Sequence, residues 1–424
     1  MTSKGAKRSP APAARPPCAP RPRAPRARAT APRVLAVLLL FWTAAGDAPP
    51  AHAASPAPSA RPAARAAATA PSPATAPPRP GLLDEYRRAL TPEVFEVRRV
   101  FETGKAIQSL CYTRDARLLV VGHADGAIEL WREGAAQPDA TLAGHRHSVT
   151  SLDVSPDNRL LVSGSEDRTI RVWDLRTRRE TRRLGDETGF IYAVQFDPSG
   201  TQVLAGGSDI ILHSLFAMFM RAIYREFVSP TVYLRLWDLR DGTEASSFVG
   251  PDDSVDSVRF SPDGRYFASG SLDHKVRVFS TEFGRQKHLL TGPADIAWSV
   301  AYSPDGRYLA AGFDDETIVW DAAKGDRVRS FKHRGGVGGA VAFLGDGGRL
   351  VRKIVEDVIA WDLGTGKELT HLFFHPFHDR LVAMAVSPDR RLVSLGTLDG
   401  RVIELSLRLP GAPSAETRPA PPRR

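Results

Sequence analysis

Between Thr141 and Glu180, short apolar–polar alternations are separated by turn formers. Ser148 to Val154 alternates as a half-buried strand does. Ser155-Pro156-Asp157-Asn158 then reads as a tight turn, with Pro156 presetting φ and Asp157 able to bond its own backbone. Leu160 to Ser163 predicts a second strand, Glu166-Asp167 a second turn, and Thr169 to Trp173 a third strand. A fourth is expected around Glu180 to Leu184. Four strands cannot bury both faces of one sheet, so the pattern implies neighbours.

The plan recurs at 261–279, 303–321 and 387–405, a period near forty residues, which is the mark of stacked supersecondary units. Trp131, Trp173, Trp237, Phe279, Trp320, Trp361 and Leu405 take equivalent places, at spacings of 42, 64, 42, 41, 41 and 44. Six intervals define seven repeats. The last supplies three strands, and a lone strand at Val94 to Phe101 stands ready to complete it. One leading strand, six sets of four and three at the end make the 28 strands of a closed ring, which removes exposed sheet edges.

Four Trp-Asp pairs (Trp173-Asp174, Trp237-Asp238, Trp320-Asp321, Trp361-Asp362) and Gly144-His145 accompany this spacing. On these residues the chain resembles the WD-repeat β-propellers over roughly 94–408. The expected fold is therefore all-β: a seven-bladed β-propeller closed by an N-terminal strand, with one helical insertion in blade three. The resemblance implies a buried hydrogen-bond tetrad in blade two, formed by His145, Ser163, Asp167 and Trp173. Blade four has Phe279, which lacks an N–H. Blade six lacks the Ser-Gly step and is expected to be the least regular.

The 64-residue interval holds an insert at 210–231. Leu212, Leu215, Phe216, Phe219, Ile223 and Phe227 fall at helical spacing, with Arg221 and Arg225 off the stripe, so an amphipathic helix is expected. Charges after Met220 argue against a membrane span. Leu212, Phe216, Phe219, Arg221, Ile223 and Phe227 are candidate docking residues for a protein partner or for peripheral membrane contact. The alternative is a helix folded onto the propeller with its stripe buried in cis.

Composition locates the charge. Residues 1–53 contribute +8 of the formal +9, so the body is near neutral and nucleic acid is not an expected partner. That segment joins a basic region to an apolar core, Val34 to Ala45, and a cleavage signal, Ala51-His52-Ala53. Export with cleavage near Ala53 is expected. An organelle transit peptide is the rival, and a membrane tether or a cytoplasmic location are the alternatives. Residues 54–81 form an Ala/Pro-rich linker expected to be disordered, 82–408 the propeller, and 409–424 a disordered tail. Leu82 to Leu90 predicts one or two helical turns ended by Thr91-Pro92.

Cys111 lies in an apolar run and is expected to be a small buried hydrophobe. His371, His375 and His378 have helical metal-site spacing, but Pro376 interrupts them and no metal is assigned. No catalytic set and no cofactor motif is found. The expected role is a non-catalytic, monomeric scaffold binding a protein or peptide on its loop face. The alternatives are a membrane-associated sensor or assembly factor, or an exported propeller enzyme.

Overall fold

The computed structural model describes residues 81–90, 94–185, 189–208, 232–293, 295–333, 338–374, 377 and 379–408. The targeting segment, all of the linker but Gly81, the insert 210–231, His375, His378 and the tail 409–424 lie outside them. Among the described residues there are twenty-eight strands, numbered β1 to β28 along the chain, and one α-helix, α1 (Leu82–Ala89). The strands form seven antiparallel sheets of four.

Each blade is a meander whose first strand is innermost. These inner strands are β2 (Ile107–Tyr112), β6 (Val149–Val154), β10 (Phe190–Phe196), β14 (Val255–Phe260), β18 (Ser299–Tyr302), β22 (Val341–Leu344) and β26 (Leu381–Val386). In blade two β6 continues into β7 (Leu160–Ser165), β8 (Ile170–Asp174) and β9 (Arg179–Leu184). The seventh sheet is built from both ends of the described chain. β1 (Phe95–Glu102) pairs with β28 (Arg401–Leu407), which pairs with β27 (Leu392–Thr397) and then β26. The β1 register runs from Phe95 opposite Leu407 to Glu102 opposite Arg401.

The core lies in the seams between blades rather than within any one of them. Val162, Ile170 and Val172 of blade two, for example, pack on Ile191, Val194 and Val203 of blade three. The turns within blades are tied by short polar side chains. Ser155 Oγ donates to Asp157 and accepts the Leu160 N–H, and Ser261, Ser303 and Ser387 repeat this with Asp263, Asp305 and Asp389. A hydroxyl that accepts and donates closes a hairpin whose backbone alone would leave groups unpaired.

Helix α1 does more than end the linker. Tyr86 is wholly buried, stacks on Phe377 at 4.0 Å and donates its hydroxyl to Asp379, which also pairs with Arg401 at 2.7 Å. Tyr86 and Leu90 share a core with Leu344, Val351, Phe374, Leu381 and Val393, so the helix plugs the junction of blades six and seven. Cys111 is half-buried rather than buried, at the margin of the core between blades one and two, and burial raises its thiol pKa.

Candidate functional site

Blade two contains a continuous polar chain. Trp173 Nε1 donates to Ser163 Oγ at 2.8 Å, Ser163 meets His145 Nε2 at 2.7 Å, and His145 Nδ1 meets Asp167 Oδ2 at 2.9 Å. Asp167 also accepts from Thr169 and from the Arg146 N–H. Burial alone would raise the Asp167 pKa, but the hydrogen bonds from His145 and Thr169 outweigh it and hold the carboxyl well below its usual range. The Trp173, Ser163 and His145 polar atoms go to other members, and Asp167 ties the chain to Thr169 and Arg146 as well. Such a chain rigidifies a blade.

Blade one builds a comparable chain from different residues, and blade four does not complete one. In blade one Trp131 Nε1 donates to Glu129 at 3.0 Å, and Glu129 lies 3.2 Å from His123. In blade four Phe279 offers no N–H, and the hydroxyl of Ser269 is buried without a partner. There the turn carboxylate of Asp273 sits 2.6 Å from Arg277, an ion pair without hydrogen-bond alignment. Arg277 stands in strand register where blade two has Arg171.

These chains hold the loops of one face. The turn after the second strand bonds the segment entering the same blade: Glu166 N–H donates to Ser148 O, Leu272 N–H to Ser254 O, and Leu398 N–H to Arg380 O. Both loop sets therefore open on the same side. That side exposes Arg146, His147, Arg168, Asp252 and Asp315, with Val249 at 92 % exposure. β11 (Gln202–Ser208) ends and β12 (Val232–Asp238) begins there, with Ser208 directly opposite Val232. The candidate docking residues Leu212, Phe216, Phe219, Arg221, Ile223 and Phe227 belong to the chain between these ends, outside the described residues.

The inner strands enclose a cavity of about 440 Å3. Its wall carries serine and threonine hydroxyls, Tyr192 and Trp298, and the charged residues Asp256, Arg259, Lys353 and Arg380. Sequence reading passed over all of these. The inner-strand residues alternate as ordinary half-buried strands do, and only ring closure shows which of them meet.

The sequence model of the WD domain, G-beta repeat, matches residues 136–174, 242–280 and 284–321, each taking in the outer strand of one blade and the first three strands of the next, which are blades two, four and five. With seven four-stranded sheets already in place, these matches decide the family. The chain is a WD-repeat β-propeller. It is 27% identical over 198 residues to a guanine nucleotide-binding protein subunit beta-5b of Danio rerio, covering 41% of this chain and 50% of the relative. It is 28% identical over 156 residues to the pre-mRNA-splicing factor cwf17 of Schizosaccharomyces pombe, covering 36% and 45%. A WD repeat-containing protein of Schistosoma mansoni, SL1-17, is 27% identical over 195 residues, covering 41% and 64%. The propeller thus spans less than two thirds of each of these relatives. Among its described residues no group of His, Cys, Asp and Glu is arranged to hold a metal ion.

Proposed function

We propose that this WD-repeat propeller is a non-catalytic scaffold that holds a protein or peptide partner on its loop face. The observation that carries the reading is the position of the blade-three interruption. Its two ends, Ser208 and Val232, meet on the face that also presents Val249, the most exposed large apolar residue described. An apolar side chain held out on a rigid loop beside charged neighbours has the make-up of an interface anchor. The names of the similar proteins, a G-protein subunit and a splicing factor, describe members of assemblies and support the same reading. The family is one of interaction scaffolds, yet fold alone assigns no partner.

Export completes the proposal, on the basic-then-apolar order of residues 4–45 and the Ala51-His52-Ala53 signal. The full chain is to be expressed in a secreting host, its mature N-terminus read, and its partners recovered by affinity capture. Ala54 is the expected first residue. Deletion of 210–231 and Val249→Asp are each expected to lose the captured partner while the melting temperature holds. Retention of every partner by both variants would sink the docking reading. Membrane contact through 210–231 is the second reading, and flotation of the protein with anionic vesicles, lost on deletion, would favour it.

A further inference from the structure

In six blades one residue of the second strand is glycine, three places beyond the partner of the Trp-equivalent position: Gly122, Gly164, Gly206, Gly270, Gly312 and Gly396. In five of them an added Cβ would strike the next blade's inner strand or its entry. It would lie 2.6 Å from Ile191 at Gly164, 2.7 Å from Val255 at Gly206, and 2.7 Å from Ile107 at Gly396. Glycine there lets neighbouring blades close up. In blade six the same place in β23 (Arg349–Lys353) is Lys353, opposite Val358 as Gly164 is opposite Ile170. β22 and β26 accordingly make little contact, whereas the other adjacent inner strands pack together.

Lys353 is 5 % exposed, lines the central cavity, and donates its Nζ to Leu381 O at 2.8 Å and Val382 O at 3.0 Å, both in blade seven. Two carbonyl oxygens leave one of three ammonium hydrogens without an acceptor. No carboxylate pairs with it among the described residues, and the charge acting on it is the neighbouring guanidinium of Arg352. Burial, reinforced by Arg352, pushes its pKa down to about 7. Arg259 reaches the same cavity and bonds the carbonyl of Val258, next to it in the chain. Its side chain is accessible to solvent, yet the protein walls around it lower its pKa. Arg380 is exposed on the same wall. Against these three cations the lining holds one acid, Asp256, which accepts from Ser254.

We propose that the central cavity is a binding site for a small oxyanion carrying two or more negative charges, a phosphate or carboxylate compound, with Lys353 as its buried anchor and Arg259 and Arg380 as its flanking cations. The volume lies within the range of small-molecule sites. A buried ammonium without a counter-charge is costly, and an anion in the cavity supplies that charge. Ser257 and Ser299 accept backbone N–H groups of the next blade, and each still carries a hydroxyl proton to offer a ligand. The site is independent of any partner on the loop face.

The test is calorimetric titration of the full chain with pyrophosphate and, separately, citrate, which tells a phosphate preference from a carboxylate one. One molecule of at least one probe is expected to bind. Lys353→Met should weaken it at least tenfold and Arg259→Gln several-fold, while Arg182→Gln on the outer strand of blade two leaves it unchanged. At pH 7.5 the binding heat should depend on the buffer's ionisation heat, because the anion draws a proton onto Lys353, and this dependence should vanish in Lys353→Met. Arg259 is accessible, so its variant reports binding even if the lysine variant misfolds. No binding of either probe below millimolar concentration overturns the proposal. So does binding untouched by both cavity variants, or binding lost in Arg182→Gln.

Discussion

At the scale of single residues, Lys353 has a pH consequence with a definite sign. Its folded pKa of about 7 lies below the ordinary lysine value of about 10.4, so between those values the unfolded chain binds more protons than the native one. Stability contributed by this site therefore rises with pH through that window and is lowest below about pH 7. From pH 7.5 to 9.5 the wild type is expected to gain about 2 kcal/mol relative to Lys353→Met. Urea denaturation of both proteins at the two pH values measures the difference, and equal slopes would refute the assignment. The sequence held part of this. Comparison with the repeat pattern of the family shows that blade six lacks the Ser-Gly step, and the register places Arg352 and Lys353 there. Whether a charged pair in a strand turns toward solvent or into two seams is decided by the neighbouring blades, which local alternation does not encode. The blade-two residues were legible for the opposite reason. The resemblance to the WD-repeat propellers names a His, a Ser, an Asp and a Trp that only blade two supplies in full, and in the structure His145, Ser163, Asp167 and Trp173 lie within hydrogen-bond distance.

Among the elements, α1 shows how much a short segment gains from its setting. Eight residues form a marginal helix in water, and this one begins at Gly81 with no side-chain cap. What holds it is Tyr86, through its stack on Phe377 and its bond to Asp379, together with Leu90 beneath. The pattern LLDEYRRA and the following Thr-Pro make a helix readable, but not that its tyrosine enters a junction nearly three hundred residues away. Tyr86→Ala is expected to cost about 3–5 kcal/mol, the range for emptying a buried aromatic site. Tyr86→Phe keeps the ring and leaves Asp379 to Arg401 alone, so about 1–3 kcal/mol is expected. Chemical denaturation ranks the two. A loss below 1 kcal/mol for the alanine variant would mean that the helix is only resting on the ring.

For the whole molecule the decisive element is β1, because it joins the two ends of the described chain in one sheet. Phe95, Val97 and Phe101 are all buried, the first two in the core that reaches α1 and β28, the third against Trp131. Each would cost a few kcal/mol to empty, and three together approach the 5–15 kcal/mol that keeps a domain folded. Their loss also bares the backbone edge of β28, a template for pairing with other chains. A chain starting at Gly81 is therefore expected to melt with the full protein. One starting at Thr103, which loses α1 and Tyr86 together with β1, should melt far lower or elute as aggregates in size-exclusion chromatography. A synthetic peptide spanning Val94 to Glu102, added in trans, should recover monomer, because its register on Arg401 to Leu407 is specified by side chains the truncated chain retains. A monomeric Thr103 chain with an unchanged melting temperature would show that the seventh blade stands on three strands, and that the ring draws its cohesion from the seams alone.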